Sequence, residues 1–298
     1  MNKLNKGILT MAYGNPKYIR MAKALAKSLN LHSPNITRAI VTDSKDSELK
    51  QLYHISIALK PELGSGVKQK LYIDEYSPFA ETLFIDSDCL VVKNIEDLWK
   101  FFNQVCFGVV GWQKREGKAF MDVMDVPQIM ALFNLDSIPV FNGGLYYFKK
   151  NEAANKVFLK AREIGDNYEK IGLGNFRGGI ADEPAFAIAI AMNRIRAISD
   201  EQGLTMRTPY NMTGSLKLDV LQGISSFIKE GQRVNPAIVH FCDNLCSFDY
   251  KREQVKLELV TKFKGLNYKI ISFIVNLIFV LLHPIYMAYK ASKKFFKK

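Results

Sequence analysis

Thr82-Leu83-Phe84-Ile85-Asp86-Ser87-Asp88-Cys89-Leu90-Val91-Val92 sets two apolar, strand-forming runs on either side of an Asp-x-Asp. Runs rich in β-branched and aromatic residues favour a buried strand. Two carboxylates two residues apart resist burial unless a cation sits on them. Both demands are met by a strand that ends at the rim of a cleft and hands a divalent metal to an anionic substrate, for which a nucleoside diphosphate is the natural choice.

Outward from this stretch the pattern is an α/β one. Residues 7–12 read as a strand. Tyr18, Met21, Ala22, Leu25 and Leu29 recur every three or four residues with Lys and Arg between them, which predicts a helix. Residues 39–42 and 54–59 read as further strands, and 67–76 as a helix leading into the strand 82–85. Strand and helix in this alternation predict a mostly parallel sheet flanked by helices, with ligands gathering at the carboxyl ends of the strands. Ala12-Tyr13, Asp43 and Asp86/Asp88 all fall at such ends. Downstream, Phe141-Asn142-Gly143-Gly144 precedes a strand at 145–148, and Asn151 is placed to cap a helix running to Ile164. A glycine-rich loop (Gly172, Gly174, Gly178, Gly179) leads to Asp182-Glu183-Pro184, with Asp182 the expected N-cap of an apolar helix over 185–192. The loop lacks the Gly-Lys-Ser/Thr of a Walker-type phosphate loop. Residues 236–241 read as the last strand of the body.

At 298 residues and 48% hydrophobic content the chain can bury the core of one α/β domain. The net charge of +12 is concentrated: residues 251–298 carry eleven Lys and Arg against two Glu, which leaves +3 for the first 250. A basic tail on a nearly neutral body argues against a nucleic-acid groove and for an anionic surface met by the tail. The four cysteines, Cys89, Cys106, Cys242 and Cys246, sit in apolar surroundings and form no disulfide framework. Together with an N-terminus that runs straight into a strand rather than a signal peptide, they predict a cytoplasmic setting.

Residues 270–289 hold no formal charge. At about 1.5 Å per residue such a helix just crosses a hydrocarbon core of about 30 Å. Asn276 and His283 interrupt it, Pro284 is expected to kink it, and both flanks are basic, with Lys262, Lys264 and Lys269 before and Lys290, Lys293, Lys294, Lys297 and Lys298 after. A spanning helix keeps its Lys and Arg on one side. An anchor lying in the plane of an anionic leaflet uses both. The expected organisation is a catalytic domain over 1–250 and a membrane-associating helical tail over 251–298, peripheral to or tail-anchored in the cytoplasmic membrane face.

The blocks Ala12-Tyr13, Lys70, Phe84-Ile85-Asp86-Ser87-Asp88, Phe141-Asn142-Gly143-Gly144, Asp182-Glu183, Pro209-Tyr210-Asn211 and Ile238-Val239-His240 together resemble the family 8 glycosyltransferases. The resemblance covers residues 7–245. It implies a retaining, metal-dependent enzyme of the GT-A fold that uses a UDP-sugar. By the same resemblance Asp86, Asp88 and His240 hold Mn²⁺ or Mg²⁺, with Ser87 between the carboxylates. Ala12, Tyr13 and Asp43 hold the uridine, Lys70 meets phosphate or sugar, and Asn142 and Gly143 bound the donor sugar. Asp182 binds sugar hydroxyls, and Glu183 stands near the anomeric carbon as stabiliser or nucleophile, where relatives often carry Gln. The implied partners are the UDP-sugar donor, a glycan or lipid-linked acceptor and an anionic membrane surface, with no nucleic acid. One departure stands out. The family's His-x-x-Gly-x-x-Lys ending is replaced by His240-Phe241-Cys242-Asp243-Asn244-Leu245-Cys246, so its phosphate-binding lysine is missing.

Other readings remain beside this one. Asp86-Ser87-Asp88 is a polar turn in the blandest of them, His240 a core histidine, and His240 with Cys242 and Cys246 an irregular zinc site. A sugar-1-phosphate nucleotidyltransferase is also α/β and metal-dependent, but 7–17 lacks its glycine-rich phosphate loop. A non-catalytic nucleotide-sugar-binding protein of the membrane surface would explain the missing lysine.

Overall fold

A computed structural model describes residues 4–176, 178–242 and 247–295. Its centre is a six-stranded sheet in the order Ile55–Ala58, Arg38–Thr42, Leu4–Met11, Phe79–Ile85, Leu145–Lys149, Phe107–Gly108. The first four strands are mutually parallel, and Leu145–Lys149 runs against both of its neighbours. Adjacent residues of a strand face opposite sides. Leu9 and Phe84 therefore enter one core cluster with Tyr146, Phe158 and Phe186, while Ile8 and Leu83 enter another with Leu25, Trp99 and Tyr147.

Local signals account for most boundaries. The helix Pro16–His32 starts on Pro16, with Asn15 as the N-cap accepting from the Lys17 amide. Asn151 caps Glu152–Asp166 through the Ala154 amide, as expected. The segment expected as a helix over 67–76 is a 3₁₀ helix, Gly66–Tyr72, followed by one α-turn, Ile73–Tyr76. Buried Gln69 explains the tighter winding, since its amide donates to the carbonyls of both Lys60 and Gly64 and draws the preceding turn inward. Asp182 is not the N-cap of its helix: Ala181 occupies that position, and Asp182 opens the helix Asp182–Met192 with its side chain turned to the site.

A smaller sheet joins Met206–Arg207, Ile238–His240 and Cys89–Val91. Its antiparallel pair sets His240 directly opposite Cys89, beside the Asp-x-Asp turn. Beyond it lies a hairpin sheet of Met212–Asp219, Ile224–Lys229 and Gln232–Val234.

The helix Ser247–Lys262 packs on Pro16–His32 and on the hairpin. The helix Tyr268–Phe295 stays helical through Pro284. One stripe of it, Ile271, Val275 and Phe279, enters a core cluster shared with Met21, Ala24, Leu90, Val220, Phe241, Tyr250 and Leu257. Between the two helices and the hairpin lies a buried charged knot. Lys256 bridges Asp219 at 3.0 Å and Glu253 at 3.0 Å, and Asp219 also accepts from Ser272 at 2.8 Å. Glu253 accepts from the Val220 amide at 2.7 Å and from Arg252 at 2.7 Å. The opposite surface of the last helix is exposed and apolar, including Phe273, Leu277, Val280, Leu281 and Ile285. Tyr268–Tyr289 is long and apolar enough to cross a membrane by length and composition, with a mean hydropathy of 2.2.

Candidate functional site

The strand Phe79–Ile85 delivers Asp86 to the edge of the sheet, where the Asp86 amide donates to the Gly144 carbonyl at 3.1 Å. A turn closes between Asp86 and Cys89, and the Phe241 amide donates to the Asp88 carbonyl. His240 is thereby pinned beside the carboxylates. Its Nε2 lies 3.0 Å from Asp88 Oδ1 and 3.8 Å from Asp86 Oδ2. Its Nδ1 lies 2.5 Å from Asn142 Oδ1, which also accepts from the Gly144 amide. Burial disfavours a charged imidazole, but the charge of Asp88 outweighs it and raises the His240 pKa well above the usual range.

Two glycines permit this approach. A Cβ on Gly144 would lie 2.5 Å from His240 Nδ1, and one on Gly143 would lie 2.8 Å from the Tyr146 hydroxyl and 2.9 Å from Glu183 Cγ.

Lys70, from the 3₁₀ helix, reaches Asp86 Oδ2 at 2.6 Å and Asp182 Oδ2 at 3.5 Å. Asp182 also accepts from the Tyr146 hydroxyl at 2.7 Å. Burial works against the Lys70 ammonium, but Asp182 and Asp86 prevail and raise its pKa. Burial lifts the Asp86 carboxyl, with Lys70 pulling the other way and Asp88 adding to the rise. Glu183 accepts from the Gly143 amide at 2.6 Å. Burial and the neighbouring Asp182 push its pKa up to about 7.

Lys70, Asp86, Asp88, Asn142, Gly143, Asp182, Glu183 and His240 are thus one connected cluster, with Ser87 buried in the turn. Tyr13 is adjacent: its hydroxyl donates to the Gly66 carbonyl at 2.5 Å, and Lys70, Asp86 and Asp182 all act on it electrostatically. Ala12 is buried at the strand end, and Asp43 accepts from the Gly14 amide at 3.0 Å one residue beyond Tyr13.

Three contributors went unread in the sequence. Tyr146 shares its oxygen with Asp182, a pairing that strand alternation hints at only once the helix is placed. Cys89 brings its sulfur into a group with Asp88 and His240 whose ligand atoms lie within 4.8 Å of one another. Burial holds its thiol pKa well above the ordinary value. The strand pairing that creates this group is not legible from spacing. Thr208 sits 3.2 Å from the Cys242 sulfur, which is 3.7 Å from His240 Nδ1. Burial opposes ionisation of Cys242, but His240 holds its pKa below the usual thiol value. Cys246, the other member of the irregular zinc reading, lies outside the described residues, as do positions 243–245 of the altered family ending.

No protein-family model matches the chain, and no curated protein matches it. Solved structures do. The galactosyltransferase LgtC, in complex with donor and acceptor sugar analogues, superposes with a TM-score of 0.55 at 14% identity, over 88% of this chain and 97% of LgtC. An active-site glutamine-to-glutamate mutant of LgtC gives a TM-score of 0.53 at 15% identity, over 89% and 99%. Mouse xyloside xylosyltransferase 1 gives 0.50 at 13% identity, over 81% and 99%. The chain has the GT-A type of glycosyltransferase fold, in agreement with the architecture expected from its sequence.

Proposed function

We propose that this protein is a metal-dependent, retaining glycosyltransferase of family 8. It moves a hexose or N-acetylhexosamine from a UDP-sugar to a hydroxyl of a glycan or glycolipid. The observation that carries this reading is the convergence of Lys70, Asp86, Asp88, Asp182, Glu183 and His240 on one cluster at the strand ends of a GT-A fold.

The donor set fits a divalent cation. Asp88 and His240 present a carboxylate oxygen and an imidazole nitrogen to one another across 3.0 Å. Asp86, whose Oδ2 is held by Lys70 at 2.6 Å and lies 3.8 Å from the imidazole, would turn an oxygen toward them to complete an O,N set of the kind that suits Mn²⁺ or Mg²⁺. Bound there, the metal would neutralise diphosphate charge as UDP departs. Lys70 is the cation best placed to stand in for the missing family lysine, because Asp86 and Asp182 keep it charged and nearby. Tyr13 and Asp43 frame the uridine end, through stacking and through acceptance of a ring N–H. Asp182 accepts from sugar hydroxyls. Glu183, held by the Gly143 amide, faces the anomeric carbon and stabilises positive charge there while the acceptor attacks from the leaving-group face.

The same reading places the protein on the cytoplasmic face of a membrane. The last helix lies along the body: Phe248 contacts the rings of Phe279, His283 and Tyr286, and Ser247 meets the Tyr286 hydroxyl at 2.9 Å. A helix docked over that length cannot also cross a bilayer without dragging the body in. The exposed apolar face with basic flanks supports an in-plane anchor. The catalytic body of 1–250 and the tail of 251–298 then act as one unit, the tail's inner stripe belonging to the shared core.

The test is nucleotide release from a panel of UDP- and GDP-sugars with Mn²⁺ and then with EDTA. Metal-dependent UDP release from one donor is expected. UDP binding without release from any donor, with acceptors supplied, would instead favour a non-catalytic nucleotide-sugar-binding protein. Release of pyrophosphate from a sugar 1-phosphate and UTP would favour the nucleotidyltransferase. Absence of UDP binding would overturn the reading of Asp86-Ser87-Asp88.

A further inference from the structure

The ribbon that leads into the cluster carries an exposed tryptophan. Gly111–Lys114 pairs antiparallel with Ile138–Phe141, and Trp112 stands opposite Val140, two residues before Asn142. Side chains alternate along a strand, so Trp112 and Val140 share a face, and Asn142 is the next residue of that parity. Trp112 is 54% exposed. Its mount is firm. A Cβ on Gly111 would lie 2.0 Å from the Val140 carbonyl oxygen, so glycine is needed for the two strands to close. The Gly111 amide donates to the Ile198 carbonyl at 3.0 Å, which holds the ribbon from its other edge. Phe120, Met121 and Asp122 all take left-handed backbone, with φ of 52°, 55° and 66°, which is costly for residues that carry a Cβ. That turn seats the Phe120 ring on Phe141, the partner of Gly111, at 5.7 Å. Phe141 in turn meets Tyr146, whose hydroxyl donates to Asp182.

A second exposed ring is tied to Asn142 from the side of the His240 strand. Asn142 Nδ2 lies 3.9 Å from Cys242 Sγ, and Thr208 Oγ1 lies 3.2 Å from the same sulfur. Thr208 Oγ1 also accepts from the Tyr210 amide at 3.2 Å, and Lys229 donates to the Tyr210 carbonyl at 2.5 Å. The Tyr210 side chain is 46% exposed. Single exposed rings are ordinary on a protein surface. Two of them on firm mounts, each linked to the same residue of the cluster, form the rim of a subsite.

We infer that Trp112 is the platform of the acceptor subsite, stacking on the C–H face of the pyranose ring that carries the accepting hydroxyl, with Tyr210 bounding the same subsite. A rigid ring system buries the apolar face of a sugar at little entropic cost and leaves the sugar's hydroxyls free to point into the cluster. An acyclic alcohol offers no such flat face. This inference rests on the glycosyltransferase reading above.

The chain holds two tryptophans, and the other, Trp99, is buried, so iodide quenching of fluorescence reads Trp112. The probes are methyl pyranosides of the gluco, galacto, manno and N-acetylgluco series, with glycerol as the acyclic control. Each is added to the full chain with UDP and Mn²⁺. At least one pyranoside is expected to cut quenching of Trp112 about twofold or more, and glycerol is expected to leave it in place. With that pyranoside as acceptor, Trp112→Ala is expected to raise KM about tenfold and to lower kcat far less, and Trp112→Phe, which keeps a ring, to recover most of the loss. Absence of shielding by every pyranoside overturns the platform, as does equal shielding by glycerol. A fall in kcat with KM unmoved, or equal losses in the two variants, also overturns it. Failure of the wild type to bind UDP overturns the glycosyltransferase reading instead, and the quenching comparison still decides whether Trp112 meets a sugar ring.

Discussion

Gly144 passes beneath the imidazole of His240 so closely that any side chain there must displace the ring, or bend the strand that carries it. Because His240 is held by Asp88 on one side and Asn142 on the other, displacement would break the proposed donor set rather than the fold. Gly144→Ala is expected to weaken Mn²⁺ binding by about tenfold or more, with little change in melting temperature, measured by calorimetric titration. Asp88→Ala removes a donor outright, so nucleotide release is expected to fall on the order of a hundredfold, with an unchanged circular dichroism spectrum. Glu183 has a pH signature. Its folded pKa of about 7 lies above the unfolded value, so its stabilising contribution is present at low pH and lost as pH rises through 7. Glu183→Gln stays neutral and keeps an oxygen for the Gly143 amide. Its advantage in melting temperature over the wild type is expected to grow between pH 5 and pH 8; a constant offset would contradict the shifted carboxyl. At this scale the sequence was most legible where a residue type stands out against its surroundings, as with Asp86 and Asp88 at the end of a buried strand. It was least legible where the cluster draws in a neighbour through tertiary pairing, as with Tyr146, Cys89 and Thr208.

The C-terminal helices are held by the knot of Asp219, Glu253, Lys256 and Ser272. Lys256 is fully buried, so removing its charge leaves buried Asp219 without its cation and buried Glu253 with Arg252 alone. Lys256→Met is expected to cost about 3–5 kcal/mol in urea unfolding. The sign with pH follows from Asp219. Burial would raise its pKa, but Lys256 and Ser272 hold it below the ordinary carboxylate value. Its contribution is present above the unfolded pKa and lost as pH falls through the lower folded one. The gap between wild type and Lys256→Met should therefore narrow in strong acid. Elements with a clean period were readable: the helix Pro16–His32, the last four residues of the strand Phe79–Ile85 and the cap at Asn151 all follow from local pattern. The 3₁₀ winding of Gly66–Tyr72 was not, because Gln69's bonds to two distant carbonyls decide it. Nor was the division of the last helix into a packed stripe and a bare face, since all its sides are apolar.

Across the whole molecule, the proposed anchor predicts that the two faces of that helix separate stability from vesicle binding. Phe273 and Leu281 are exposed, and burying each in lipid is worth about 1.5–3 kcal/mol. The double change Phe273→Ser with Leu281→Ser is expected to lower vesicle affinity more than about tenfold while leaving the melting temperature in place. Ile271→Ala, on the packed stripe, should do the reverse and cost about 2–5 kcal/mol of stability. The cluster that receives this stripe draws Met21 and Ala24 from one end of the chain and Val275 and Phe279 from the other. Partners so remote in sequence must pay the closure entropy of a long loop before their contacts return anything. In kinetic terms, the seam is expected to form after the rate-limiting step, which the folding and unfolding rates of Ile271→Ala would check. Weakening it should steepen escape from the native state and leave the speed of reaching it nearly untouched.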